Sequence, residues 1–257
     1  MNDASETESI IQVRDFTAAY GEKVIVKDLN FDVQRGEVFI ILGGSGCGKS
    51  TVLKHMIGLF EPFRGDILLQ GRSIVTSVGD ERLEILKGIG VSYQSGALFG
   101  NMTLLENVRL PMEEFTDLPR DAMDLVVGMK LDLVGLGDSL HLLPSEISGG
   151  MQKRAAIARA MALDPRIIFL DEPSAGLDPI TSAEIDQLIL RLKKTLGITF
   201  VIVTHELPSI YTIADRVIML DKRTKGIVET GDPKDLRDHS DNPWVRQFFN
   251  RKAEAVS

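Results

Sequence analysis

Val38-Phe39-Ile40-Ile41-Leu42-Gly43-Gly44-Ser45-Gly46-Cys47-Gly48-Lys49-Ser50 joins a short apolar run to a glycine-rich turn that closes on a lysine and a hydroxyl. The run Val38 to Leu42 is β-branched, brief and bounded by glycine, which predicts a fully buried strand. From Lys49 to about Gly58 the residues predict a helix. Gly43 to Ser50 fits G-x-x-x-x-G-K-[ST], a pattern that carries meaning only between a strand and a helix. Glycines let successive backbone N–H groups converge, and the helix N-terminus adds partial positive charge. Both favour phosphate oxygens. Lys49 is then expected to reach the β- and γ-phosphates of a nucleotide, and Ser50 to ligate Mg²⁺. Cys47 reads as a small side chain within the loop, although a helix N-terminus is a place where a thiol pKa can fall.

A second apolar strand, Arg166-Ile167-Ile168-Phe169-Leu170, runs into Asp171-Glu172. The C-terminal edge of a buried α/β sheet is where such folds bind ligands. Strands often end in surface acids, so these two alone say little. Beside a phosphate loop, Asp171 is expected in the Mg²⁺ shell and Glu172 as the base that takes a proton from the attacking water. His205 follows the strand Thr199 to Val203 in the same way. A lone histidine is more often structural or solvated. Here its strand should neighbour that of Asp171, which points to a γ-phosphate contact that orients the water.

Around these motifs the order of elements is alternating α/β. Ile10 to Phe16 and Val24 to Val33 predict strands broken at Tyr20-Gly21-Glu22. Gly65 to Val75 predicts a hairpin turned at Gln70-Gly71, and Ile89 to Tyr93 another buried strand. From about Asn101 to Ala162 the texture becomes helical, with Pro119 to Val134 and Gly150 to Leu163 as helices. Ser182 to Lys194 predicts a helix with Ile185, Leu188, Ile189 and Leu192 on one face, opened by a Thr181-x-x-Glu184 capping box. Val217 to Leu220 completes the strands. The expected organisation is a polar leader at 1–9, an α/β domain at 10–240 with a helical insert at about 101–162, and a tail at 241–257.

The chain has 257 residues, 44% of them hydrophobic and 26% charged, a composition able to bury a full core. A net charge of −8 argues against sequence-independent nucleic-acid binding, which needs clustered Lys and Arg. Cys47 is the only cysteine, so no disulfide framework exists and a reducing compartment is expected. No apolar run approaches the ~20 residues of a membrane-spanning helix, and Met1 to Glu8 lacks the layout of a secretory signal. The expectation is a cytosolic protein whose dealings with a membrane go through a partner.

Ile147-Ser148-Gly149-Gly150-Met151-Gln152-Lys153-Arg154 lies with Ser148 23 residues before Asp171 and resembles the signature motif of the ATP-binding cassette (ABC) transporter ATPases. Gln94 is similar to that family's Q-loop glutamine, Ser174-Ala175-Gly176-Leu177-Asp178 to its D-loop, His205 to its switch histidine and Tyr20 to its adenine-stacking aromatic. The resemblance runs from about Ile10 to Arg237. It implies a P-loop NTPase core of α/β class, with an antiparallel β subdomain and a helical subdomain. It implies ATP as ligand of Tyr20, Gly43, Gly44, Ser45, Gly46, Cys47, Gly48, Lys49, Ser50, Thr51, Gln94, Ser148, Gly149, Gly150 and Asp178. Mg²⁺ would fall to Ser50, Gln94 and Asp171, and catalysis to Glu172, His205 and Lys49. Two copies would pack head to tail, each ATP lying between one phosphate loop and the other copy's signature. Met151 replaces the commoner glutamine of the signature, a departure expected to be tolerated beside Ser148 and Gly150.

Within the family, Pro144 to Met151, Gln94-Ser95-Gly96-Ala97-Leu98-Phe99, Asp178-Pro179-Ile180-Thr181 and Trp244-Val245-Arg246-Gln247-Phe248-Phe249 resemble the MlaF-like ATPases of Mla/Mce lipid-trafficking systems. That implies a place on the cytoplasmic face of the inner membrane. The implied partners are an MlaE-type permease, an MCE-domain lipid-binding protein and a small STAS-domain subunit, with no nucleic acid. Ala97-Leu98-Phe99 would floor the groove for the permease's coupling helix, or else belong to the core of the helical insert. An importer of small polar solutes such as amino acids would share every site residue and remains the alternative. A ribosome- or DNA-directed cassette fits poorly, because such members carry two cassettes or long coiled coils.

Overall fold

The computed structural model describes residues 9–251, so the leader expected at 1–9 lies, except for Ser9, outside the described residues, as do 252–257 of the tail. In chain order the elements are β1 (Ser9–Tyr20), β2 (Lys23–Gln34), β3 (Val38–Gly43), α1 (Lys49–Met56), β4 (Arg64–Leu69) and β5 (Arg72–Ser73). Next come α2 (Gly79–Lys87), β6 (Ile89–Ser92), α3 (Leu104–Phe115), α4 (Arg120–Leu133), α5 (Gly149–Ala160), β7 (Ile167–Asp171), α6 (Pro179–Leu196) and β8 (Thr199–Val203). The last are α7 (Leu207–Ile213), β9 (Arg216–Asp221), β10 (Gly226–Gly231), α8 (Pro233–His239) and α9 (Pro243–Phe249). The described residues divide into two compact units, one running to Gly79 and resuming at Val203, the other Asp80–Ile202.

The first unit holds a four-stranded antiparallel sheet in the order β2-β1-β4-β5. Its other strands run β10-β9-β3, with β3 parallel to β9 and β9 antiparallel to β10. Every residue of β3 is buried, which is why it reads as an unbroken apolar run instead of an alternation. Its start is pinned by charge. The Val38 N–H donates to Asp215 Oδ2 at 2.6 Å, and the Arg216 guanidinium donates to both Glu37 oxygens at 2.7 and 3.0 Å. The same guanidinium lies 5.2 Å over the Phe39 ring. Fixing where β3 begins fixes where the loop after Gly43 emerges.

In the second unit β6 pairs parallel with β7, and β8 lies on the other side of β7. Ile167 to Leu170 and all of β8 are buried. α6 buries Ile185, Leu188, Ile189 and Leu192, the face expected from their spacing, each worth about 1.5–3 kcal/mol over exposure. α3 opens with a capping box, Thr103 with Glu106, and is joined to α4 by Arg109, which pairs with Glu113 at 2.6 Å and Asp124 at 2.5 Å. The architecture is α/β, with the antiparallel sheet in one unit and the helices α2 to α5 in the other.

One expected boundary is corrected. α6 begins at Pro179, not near Ser182, and its N-cap is Asp178, whose carboxylate accepts from the N–H groups of Ile180 at 3.0 Å and Thr181 at 3.1 Å. Proline suits the first helical position because its missing donor would be an orphan there. Thr181 is therefore inside the first turn and donates its hydroxyl to Asp178 at 2.5 Å. Five elements escape the sequence reading: α2, α7, β10, α8 and α9. α2 buries only Ile85, and β10 has no fully buried residue, so neither carries an apolar period.

Candidate nucleotide site

In the first unit, Gly43 ends β3, Gly44 to Gly48 form the turn, and Lys49, Ser50 and Thr51 open α1. Gly43 stands at φ 146°, and a Cβ there would meet Leu220 O at 2.3 Å and Cys47 Sγ at 2.7 Å, so no larger residue fits. Lys49 Nζ donates to the carbonyls of Gly43 at 2.9 Å and Gly44 at 3.3 Å, folding back along the loop it would serve. Cys47 is buried and its thiol pKa is pushed up by that burial, against the pull of Lys49, which favours the small-residue reading over a reactive one. Tyr20 closes β1 with 49% of its surface exposed and meets Phe60 edge to face at 6.0 Å. An open ring held by one edge is available for a stacking partner. His205 lies just past β8 with an exposed side chain, 3.8 Å from Glu206.

In the second unit, Asp171 is the last residue of β7 and half-buried, and Glu172 follows in a left-handed conformation at φ 48°. Gln94 lies in the exposed turn past β6. Lys153, on α5, ties these together. Its ammonium donates to the backbone carbonyls of Gln94 and, at 3.3 Å, Glu172. Desolvation lowers its pKa, while the neighbouring Glu172 and Asp171 carboxylates oppose the shift. Nothing in the sequence pattern marks Lys153 apart from its place on the helix that the signature opens.

Ser148 is the N-cap of α5, its hydroxyl accepting from Met151 N at 3.2 Å, and Gly149 and Gly150 form the first turn. A Cβ on Gly150 would meet Thr181 Cγ2 at 2.4 Å. Because Thr181 also holds Asp178, the signature and the D-loop segment share one side chain. That bond to Thr181 is the main reason the Asp178 carboxyl sits below its ordinary pKa. The segment after Gln94 is anchored by two residues that the sequence reading passed over. Arg159 donates to the carbonyls of Gly96 at 2.9 Å and Ala97 at 2.7 Å, and buried Asn107 holds Phe99 through N–H and carbonyl at 2.8 and 3.1 Å. Phe99 itself is 48% exposed, so it is not insert core.

Ser50 in the first unit, and Gln94 and Asp171 in the second, carry hydroxyl, amide and carboxylate oxygens, each a hard donor of the kind Mg²⁺ takes. Among the described residues no cluster of three or more His, Cys, Asp or Glu could cage a metal by itself. A few protein oxygens completed by phosphate are how Mg²⁺ is usually held.

The model of the ABC transporter family matches residues 26–175. The chain belongs to the ABC transporter family. As a member it is an ATP-binding ATPase. This cassette is 39% identical over 247 residues to the intermembrane phospholipid transport system ATP-binding protein MlaF of Escherichia coli, covering 96% of this chain and 90% of that one. It is 43% identical over 240 residues to the probable ribonucleotide transport ATP-binding protein mkl of Mycobacterium leprae, covering 93% of this chain and 68% of that protein. Of the Mycobacterium tuberculosis counterpart it spans 66%. Among solved structures, cbiO1 of Clostridium perfringens, part of the cbiONQ complex, superposes with TM-score 0.83 at 30% identity, over 90% of this chain and 92% of that one. The dimeric bacterial cassette MJ0796 superposes with TM-score 0.77 at 30% identity, over 86% and 98%. No helix among the described residues is long and apolar enough to cross a membrane.

Proposed function

We propose that this ABC ATPase powers phospholipid movement through a separate MlaE-type permease and an MCE-domain protein, with a small STAS-domain subunit as a further partner. It would work from the cytoplasmic face of the inner membrane as a head-to-tail pair. The observation that carries the reading is the likeness to MlaF along nearly the whole chain. A structural detail supports it. Beside the anchored segment after Gln94, an apolar groove of about 250 Å³ is walled by Leu83, Ile89, Pro111, Phe115 and Arg159. Arg159 both lines the groove and holds Gly96 and Ala97, so a coupling helix seated there would act directly on the Gln94 loop.

In this reading the phosphate loop, with Lys49, grips the β- and γ-phosphates, and Tyr20 stacks on adenine. Mg²⁺ on Ser50, Gln94 and Asp171 would neutralise charge that builds on the phosphates. Glu172 accepts a proton from the attacking water, and His205 holds the γ-phosphate end in place. Lys153 fixes the backbone on both sides of that step. Ser148, Gly149 and Gly150, with Asp178 behind them, close on the nucleotide of the partner copy.

A polar-solute importer is the second reading, favoured by the mycobacterial relatives named for ribonucleotide transport. The experiment is affinity capture of tagged Glu172→Gln protein from solubilised membranes with ATP–Mg²⁺, followed by mass spectrometry and lipid extraction. An MlaE-type permease with an MCE protein and phospholipid supports the first reading. A permease with a solute-binding protein overturns it in favour of the second.

A further inference from the structure

We propose that α9 braces the rim of the phosphate loop within its own chain, with Trp244 and Arg223 as positioning residues for bound ATP. The inference rests on the phosphate-loop reading above and adds a control on it from the C-terminal helices. Gly44, Ser45 and Cys47 of the phosphate loop line a cavity of about 580 Å³ together with Asp221, Arg223, Trp244 and Phe248. Asp221 holds Arg223 in that lining. It is buried at the end of β9, directly after Leu220, the residue whose carbonyl lies where a Cβ on Gly43 would fall. Its carboxylate accepts from Arg223 N at 2.9 Å and Nε at 2.8 Å, and these bonds, chiefly the side-chain one, keep the carboxyl below its usual pKa. The Arg223 guanidinium in turn lies 5.5 Å over the Trp244 ring.

Trp244 is only half-buried, whereas its helix packs into the fold through Val245 and Phe249, so the indole is not spent on core. The other end of α9 reaches α7. Tyr211 donates its hydroxyl to Phe249 O at 2.9 Å, and the two rings lie 6.0 Å apart. α7 starts two residues after His205. One short helix thus touches the turn after β9, which shares the cavity with the phosphate loop, and the helix that follows His205.

The test is calorimetric ATP affinity and steady-state turnover of the full chain carrying Trp244→Ala or Trp244→Phe. Trp244→Ala should weaken ATP binding about tenfold and leave kcat within about twofold, the size expected of one lost cation–π and aromatic contact set. Trp244→Phe should restore most of the affinity. Trp244 is the sole tryptophan, so its emission should also shift when ATP is added to the wild type. Unchanged affinity in a folded Trp244→Ala protein overturns the brace. Should that variant not fold, Arg223→Gln is read by the same standard. Lys49→Ala separates the two ideas. If it retains wild-type ATP affinity, the phosphate-loop reading fails. If it loses affinity while Trp244→Ala and Arg223→Gln do not, the brace alone fails.

Discussion

Lys49 and Lys153 are both lysines whose ammonium groups rest on backbone carbonyls, yet removing them should have different results. Lys49 touches Gly43 and Gly44, partners it can leave when phosphate arrives. Lys49→Ala should therefore cost ATP affinity, by roughly ten- to a hundredfold for a charge-assisted contact, with little change in thermal stability. Lys153 is buried on partners in two separate segments, Gln94 and Glu172. Lys153→Met strips both carbonyls of a donor but also removes the cost of burying an ammonium. The net loss should be near the low end of a charged hydrogen bond, about 1–2 kcal/mol. Turnover should drop with KM for ATP nearly unchanged, since the carbonyls belong to the segments of Gln94 and of the proposed base Glu172 and not to the phosphate loop itself. A variant that lost affinity and kept kcat would place Lys153 elsewhere in the cycle.

Among the elements, α3 offers a clean measurement. Thr103 N–H and hydroxyl both donate to Glu106 at 2.8 and 2.9 Å, and Glu106 N–H donates back to Thr103 Oγ1 at 3.3 Å. Those bonds from Thr103 hold the Glu106 carboxyl below its ordinary 4.5. A carboxyl depressed in the folded state adds stability that is complete above its unfolded pKa and lost as pH falls through the folded one. Thr103→Ala should lower unfolding free energy by about 1 kcal/mol at neutral pH. Denaturant melts at neutral pH and below the carboxylate range should show that difference shrinking in acid; a constant difference would mean the box contributes only through packing. β3, β7 and β8 were legible because complete burial writes itself as an uninterrupted apolar run. α7, α8 and α9 are seven residues each, too short to display a period, and are set by Asp232 and Asn242 caps and by tertiary contacts.

For the whole molecule, two copies bound head to tail predict that Glu172→Gln protein with ATP–Mg²⁺ sediments as a dimer and returns to monomer when ATP is replaced by ADP. Its hydrolysis should be slower by ~10²–10⁴-fold, the usual worth of a general base. A monomer at every nucleotide state would remove the pairing from the proposal. The motif positions could be expected one by one, because each sits at or just past a strand end or at a helix start and carries a residue type suited to such an end. What joins them could not. Lys153, Arg159 and Asn107 act through backbone groups and Thr181 through its hydroxyl on the Asp178 carboxylate, and no spacing rule encodes those partners.

Glu172 occupies left-handed backbone space that suits asparagine or glycine better than a glutamate, at a cost of roughly 1–2 kcal/mol. A selection of random variants for heat resistance alone would then tend to collect Glu172→Gly and Glu172→Asn. With Glu172 as the proposed base, the survivors would be hardier and would still bind ATP, but would turn it over ~10²–10⁴-fold more slowly. Any thermostabilised version of this cassette should therefore be bred under a turnover screen, since heat alone rewards the loss of its motor.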